Sequence, residues 1–330
     1  ILWFMTDPRF YEWLWDIDNE VRANVPMIYY HVWDNFPAPV YNKPFYDSND
    51  MIVSISKVTR DIVNEVTDKV ENIYLPHAVD PKIFCPLPIQ DLEEYKEKQG
   101  LKDKFVFFWN NRNARRKMSG SLIYWFKKFC EKVGNDKAVL IMHTDPADPY
   151  GQPLDHLLDH FGITEGQIRI SRQKIAPELL SLMYNIADCT INISDAEGFG
   201  LATLESLSCG TPIIATMTGG LQEQVTDGEN WFGIGIEPSS KALIGSQQVP
   251  YIYEDRISED DFINALTKMY EMKKEDRINL GLAGLEHVAR NYSFDSYEKR
   301  WIEIMDGVYQ NYGSWENRKK YSSWDFKKIN

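Results

Sequence analysis

The segment CTINISDAEGFGLATLESLSCGTPIIAT, Cys189–Thr216, carries the pattern that decides the fold. Its ends, CTINIS and PIIAT, are short apolar runs of the kind found in strands covered on both faces. Between them Leu201, Leu204 and Leu207 recur at helical spacing, and Gly210 followed by Pro212 stops that helix. Strand, helix, strand in so short a stretch implies two parallel strands joined by a helical crossover.

The same alternation runs outward from this unit. FVFFWN (Phe105 to Asn110), AVLIMHT (Ala138 to Thr144) and QIRIS (Gln167 to Ser171) read as strands, each followed by a helical pattern. Toward the N-terminus, ILWFMT, MIYYHV (Met27 to Val32), MIVSIS (Met51 to Ser56) and the start of NIYLPHAVDPKIFCP read the same way. A helix is expected over Phe10 to Val25, with Trp13, Leu14, Ile17 and Val21 at helical spacing, and another from Lys57 to about Thr67. From Glu259 onward the pattern is helical. It closes with a helix that Ser293 caps and that presents Tyr297, Trp301, Ile304, Met305 and Val308 on one face. The basic, aromatic tail ENRKKYSSWDFKKIN follows it. The predicted class is α/β, with two Rossmann-like blocks meeting near the linker CPLPIQDLEEYKEKQG, Cys85 to Gly100.

Bulk composition narrows the function classes. The chain has 330 residues, 43% of them hydrophobic, which suits two domains with their own cores. A net charge of -13 argues against a general nucleic-acid surface, while leaving room for a local basic pocket. Cys85, Cys130, Cys189 and Cys209 form no C-x-x-C pair, and Cys130 and Cys189 lie in apolar periodic segments. The expectation is free thiols in a reducing, cytoplasmic setting, with neither a disulfide framework nor a zinc site. No run approaches the length of a membrane span, so any membrane contact would be peripheral. The sequence opens at Ile1 without Met, in an apolar run read as a core strand and not as a secretory leader. The first block is expected to be the later part of a domain.

In open parallel sheets, ligands lie beyond the carboxyl ends of the strands. The loops there include NRNARRKM, DPADPYGQP, DAEGFG and MTGG. In DAEGFG, Gly198 and Gly200 allow close approach of a ligand to the main chain. The amides of Phe199, Gly200 and Leu201 would lie at a helix N-terminus, where the dipole favours an anion such as phosphate; the alternative is an ordinary strand-to-helix turn. Glu205 borders the apolar helix face, and its carboxylate needs a partner: a sugar diol, an arginine or a backbone amide. Glu197 precedes the helix on the open rim. Arg112, Arg115, Arg116 and Lys117 crowd one strand end, where they would neutralise a diphosphate; a solvated loop is the plainer reading. Gly219 and Gly220 either make room for a ligand or turn the chain. His31 ends its strand on the corresponding rim of the first block.

With those residues in view, the chain resembles the retaining glycosyltransferases of family 4, which have the glycosyltransferase B fold. EGFGLATLESLSCGTPIIA is similar to that family's two-glutamate signature, GGLQEQV follows at the expected place, and NRNARRK looks like its basic loop. YLPHAVDPKIFCP is similar to its interdomain stretch. The resemblance implies two Rossmann-like parallel-sheet domains facing a cleft, the first lacking its opening strand and glycine-rich loop. Residues 1–95 would form the acceptor-side domain and 96–292 the nucleotide-sugar domain. Residues 293–330 would be a helix and tail crossing back to the first domain.

The resemblance also implies roles. Glu197 would contact the transferred sugar and Glu205 the ribose hydroxyls. The amides from Gly198 to Leu201 would hold sugar and phosphate, and Lys117 with one arginine the diphosphate. Arg112 and Arg116 compete for that last role, because the family often spaces its arginine and lysine one residue further apart. His31 matches a histidine that many relatives keep near the donor sugar. The activity implied is transfer from a nucleoside-diphosphate sugar to a glycan or other hydroxylated acceptor, with retention and without a metal or other cofactor. Rival readings are a nucleotide-sugar epimerase or a phosphorylase on the same architecture, or a non-catalytic nucleotide-sugar-binding module. The acidic triplet Asp16–Asp18 reads as a solvated helix face and not as a metal site.

Overall fold

The structure is a computed structural model, and it describes residues 1–322. The chain divides into two units. The first comprises Ile1–His77, Leu243–Tyr253 and the segment from Asp295, and the second Ala78–Ala242 and Glu254–Phe294. Residues 78–95, placed with the first block from sequence, therefore group with the second. Part of the linker there is a helix, Ile89–Lys98.

In the first unit β1 (Leu2–Thr6), β2 (Met27–His31), β3 (Met51–Ser54) and β4 (Glu71–Tyr74) form a parallel sheet in that order. Every residue of β2 and β3 is buried, as their unbroken apolar runs require. The helix Lys57–Val66 crosses from β3 to β4 and buries Ile62, Val63 and Val66. The Ser56 hydroxyl caps it by accepting from the Thr59 amide at 3.0 Å.

The expected helix over Phe10 to Val25 is instead three short pieces: a 3-10 turn Pro8–Tyr11 and helices Glu12–Trp15 and Asp18–Arg22. Asp7 caps the turn through the Arg9 amide, and Pro8 occupies its first position, so winding starts early and out of phase with the apolar spacing. Trp13 is consequently 62% exposed, and Trp15 is buried instead. Trp15 packs on Phe4, Tyr29 and Phe45 while its indole N–H donates to the Pro8 carbonyl at 2.8 Å.

The final helix, Phe294–Tyr312, buries Ile304 and Val308 and sets the Trp301 ring edge-on to Trp3 and Tyr30. Beyond it the Arg318 side chain is 7% exposed. Its guanidinium donates to Asp50 Oδ1 at 2.6 Å and to the Arg22 carbonyl at 2.7 Å. The rest of the basic tail, from Ser323, lies outside the described residues.

The second unit is built on β5 (Phe105–Asn110), β6 (Ala138–His143), β7 (Ile168–Ser171), β8 (Cys189–Asn192), β9 (Ile213–Thr216) and β10 (Gly233–Ile236). All six are parallel, in the order β10-β9-β8-β5-β6-β7. From β5 the chain winds outward through β6 and β7, then returns to the other side of β5 and winds outward again through β8, β9 and β10. The order thus reverses between β5 and β8, where Phe107 pairs with Cys189 and Phe108 with Thr190. Beneath lies a core of Phe107, Trp109, Phe126, Phe129, Leu140, Ile191 and Ile214, all fully buried. β10 was not foreseen, since its sequence, GIGI, places two glycines in a strand. Two further strands, β11 (Ser240–Ile244) and β12 (Ile252–Arg256), pair with each other.

Candidate functional site

A reversal of strand order opens a crevice at the carboxyl ends of the two strands concerned. In the second unit those are β5 and β8, so the loops that follow them, the basic loop and DAEGFG, flank the crevice. Lys117 and Glu197 join the two loops there. Both are buried, and the Lys117 ammonium donates to Glu197 Oε2. The Asp195 amide donates to the Arg116 carbonyl at 2.8 Å, a second tie between the same loops.

The three arginines of the basic loop are held very differently. Arg112 is exposed, paired with Asp148 at 2.6 Å and laid over the Tyr150 ring. Arg115 is turned away toward β12, where Glu254 accepts both of its terminal nitrogens. Arg116 is half-buried, donates to the Ala196 carbonyl, and has its guanidinium 3.9 Å from Glu197. The Arg112 and Arg115 side chains are about equally exposed, at 59% and 60%. Arg115 is held by a carboxylate only 3% exposed, whereas Asp148 is 11% exposed, and the more solvated an ion pair the weaker and more screened it is. Arg112 is therefore the arginine most readily surrendered to a ligand anion.

The helix Leu201–Ser208 begins immediately after Gly200, whose φ of 95° lies in the left-handed region that glycine accepts without strain. A Cβ there would also meet Leu221 Cδ2 at 2.5 Å. The amides of Gly200 and Leu201 donate to no acceptor among the described residues, while the Gly200 carbonyl takes the Thr203 hydroxyl and the Leu204 amide. Leu201, read as part of the apolar face, is 47% exposed; Leu204 and Leu207 are the buried pair.

Gly219 and Gly220 are buried. Gly220 packs so closely on the DAEGFG loop that a Cβ would sit 2.6 Å from the Gly198 carbonyl oxygen, and its amide donates to the Glu197 carbonyl at 2.9 Å. Gln224 completes the brace, donating to the Phe199 carbonyl and accepting from Thr203.

Glu205 finds a partner within the protein. Its Oε2 accepts from the Tyr184 hydroxyl at 2.7 Å, and Asn110 at the end of β5 donates to that hydroxyl at 2.8 Å. Burial pushes the Glu205 carboxyl up to about 7, and the Tyr184 hydrogen bond pulls it partly back. Four buried polar atoms without a partner among the described residues belong to this same rim: Asn111 Nδ2, Thr144 Oγ1, Asn192 Nδ2 and Thr216 Oγ1, at the ends of β5, β6, β8 and β9.

His31 is fully buried in the first unit. Its Nε2 meets the Tyr46 hydroxyl at 2.7 Å, its Nδ1 has no partner among the described residues, and burial lowers its pKa to about 3. It is a neutral ring locked among Tyr29 and Tyr46.

The family described as "Glycosyl transferases group 1" matches residues 91–269, more than half of the chain. The chain belongs to this family. Among curated relatives, this group 1 glycosyl transferase is 32% identical over 131 residues to the D-inositol 3-phosphate glycosyltransferase of Thermomonospora curvata, covering 39% of the chain and 25% of the relative. It is 21% identical over 231 residues to the N-acetyl-alpha-D-glucosaminyl L-malate synthase of Bacillus anthracis, covering 68% of the chain and 56% of the relative. The chain thus spans about half or less of such relatives' length.

Solved structures share its fold at low identity. The Anabaena protein HepE in complex with UDP and glucose superposes with a TM-score of 0.68 at 14% identity, over 86% of this chain and 72% of that one. The alpha,alpha-trehalose 6-phosphate synthase of Burkholderia multivorans gives 0.72 at 11%, over 94% and 72%. The group 1 glycosyl transferase accordingly has the glycosyltransferase B type of architecture, built from parallel-sheet Rossmann-like units. Among the described residues no helix is long and apolar enough to cross a membrane.

The site also draws on residues that sequence reading missed. Tyr184 lies in the helix Pro177–Ile186 and carries no motif. Asp195 and Glu254 are buried carboxylates at the same rim, with the partly exposed Arg256 between them. Arg256 pairs with both carboxylates, and burial lifts the Asp195 carboxyl to about 6 against the pull of Arg256. Asp195 was visible beside Glu197 in DAEGFG. Glu254 and Arg256 had no such signal, because β12 itself was not foreseen.

Proposed function

We propose that this chain transfers a sugar from a nucleoside-diphosphate sugar to an acceptor hydroxyl, with retention at the anomeric carbon and without a divalent metal. The observation that carries the reading is the Lys117–Glu197 pair at the reversal of strand order, next to the undonated amides of Gly200 and Leu201. A diphosphate placed there meets helix-terminal N–H groups on one side and cations on the other. Lys117 has three N–H donors, so it can keep Glu197 and still reach a phosphate oxygen. Arg112 joins by exchanging Asp148 for phosphate. Glu205 has one oxygen engaged by Tyr184, leaving the other to accept from the ribose. Glu197 is oriented by Lys117 to accept from a hydroxyl of the transferred sugar.

Negative charge grows on the phosphate as the bond from the anomeric carbon to its oxygen lengthens. Lys117, Arg112 and the helix amides oppose that charge most in the transition state, which is the condition for catalysis. These fixed cations supply the stabilisation for which other transferases use a metal. The bond to the acceptor oxygen then forms on the face the phosphate leaves. The acceptor proton passes to the departing phosphate oxygen, and no protein nucleophile is required.

A thermal-shift panel of nucleoside diphosphates and their sugars identifies the donor, since a ligand of the folded state raises its stability. Incubating that donor with candidate hydroxylated acceptors, in the presence of chelator, should give an α-linked product from an α-linked donor by NMR. An inverted product, or turnover abolished by chelation, rejects the mechanism. Epimerised free sugar formed without acceptor would make the protein an epimerase.

A further inference from the structure

We infer that β12 works as a clamp on the donor loop, with Glu254 and Arg256 as positioning residues; this rests on the transferase reading above. The loop SDAEGFG has to hold Glu197 against Lys117 while three arginines stand within a few residues of that lysine. Glu197 already has the Arg116 guanidinium 3.9 Å away. A further free guanidinium at the rim would compete for the same carboxylate and for the phosphate.

Arg115 is the arginine that is kept away. Glu254, buried at 2% exposure, accepts Arg115 Nη1 at 2.9 Å and also its Nη2. The same carboxylate accepts Arg256 Nη2 at 2.7 Å. Arg256 Nη1 then reaches Asp195 Oδ2, which is likewise buried. Two guanidiniums and two carboxylates close a neutral cluster, so no ion in it is buried unpaired.

The main chain is gripped as well. The Asp195 carbonyl accepts from the Asp255 amide at 2.9 Å, and the Asp195 amide donates to the Arg116 carbonyl at 2.8 Å. Asp195 is thereby fixed from β12 on one side and from the basic loop on the other, two residues before Glu197. None of these contacts involves the motif glutamates or glycines. The clamp fixes where the loop stands, and it chooses which arginine faces the anion.

A double-mutant cycle between Arg115→Gln and Glu254→Gln tests this, with donor nucleoside-diphosphate affinity and hydrogen exchange of amides 195–201 as readouts. Glu254→Gln should weaken binding about tenfold and speed exchange across the loop, because it loosens Arg115. Adding Arg115→Gln should recover most of both losses, since the released guanidinium is then gone. A merely structural role would lower the melting temperature alone and would show no recovery in the double variant. Binding and loop exchange unchanged in Glu254→Gln, or no recovery, overturns the clamp. If the wild-type chain binds no nucleoside diphosphate, the transferase reading fails. Loop exchange then decides the clamp by itself: faster in the single variant and restored in the double supports it, and any other pattern rejects it.

Discussion

Glu205 shows one environment acting in two directions. Burial holds its carboxyl near 7, whereas in the unfolded chain it would titrate near 4.5. Between those values the folded state keeps a proton that the unfolded state gives up, so stability falls as pH rises through that window. Glu205→Gln removes the penalty. It should stabilise the unliganded protein by roughly 1–3 kcal/mol at pH 8, with the gain vanishing at pH 4. The same variant should bind nucleoside diphosphate about tenfold more weakly at pH 8, because an ionised acceptor is lost. Calorimetry and titration at the two pH values check both, and equal stability at pH 8 would remove the buried carboxylate from the account.

Lys117 makes the complementary case. Lys117→Met leaves Glu197 buried without its ammonium and should cost about 3–5 kcal/mol. Adding Glu197→Gln should restore most of that stability but none of the turnover; recovered turnover would reduce the pair to scaffolding. At this scale the sequence was informative where chemistry and spacing coincide, as in Glu197, Glu205 and the basic loop. Tyr184 was not legible, because nothing in its own helix indicates which residue of another helix its hydroxyl will meet. Nor did the spacing of Arg112, Arg115 and Arg116 separate them. Their partners Asp148, Glu254 and the Ala196 carbonyl did.

At the scale of elements, the tight passage is where Gly220 lies on Gly198 and Phe199. Alanine there would place its Cβ 2.6 Å from a carbonyl oxygen and 2.7 Å from Phe199 Cα, both backbone atoms with little room to yield. Gly220→Ala should destabilise the protein by about 1–3 kcal/mol and shift the loop whose amides face the ligand. Denaturant midpoints together with donor affinity measure this; a neutral variant would mean the two loops part easily. Elements buried on both faces, such as β5 and β8, were plain in the sequence because an unbroken apolar run has few other uses. β10 was hidden by its glycines. The region from Phe10 to Val25 was misread because a capped proline turn reset the helical phase, which apolar spacing alone does not reveal.

At the scale of the molecule, the chain leaves the first unit after His77 and supplies it again with Leu243–Tyr253 and with the segment from Asp295. The family resemblance anticipated the return near residue 293, but no change in composition marks the one at Leu243–Tyr253, so a boundary read from linkers could not find it. Asp50 shows what the later return contributes. It accepts from the Met27 amide at 2.9 Å and sits between Arg22 and Arg318. Arg318→Met should cost about 2–3 kcal/mol, the scale of a buried charge-assisted hydrogen bond. A denaturant midpoint corresponding to less than about 0.5 kcal/mol would place the segment among surface substitutions.

Arg318 follows Asp50 by 268 residues. On a ribosome adding roughly 5–20 residues per second, that is a delay of roughly 15–50 s. The strands β1 to β4 must wait through those 268 residues before Asp50 acquires the Arg318 guanidinium. The second unit still lacks the helices Glu259–Glu271 and Lys274–Asn291 when Arg256 emerges, but it is complete at Phe294, before Arg318 is made. The sheet β1 to β4 should therefore complete its packing after the second unit does, and remain the more open of the two to proteases and chaperones in the interval.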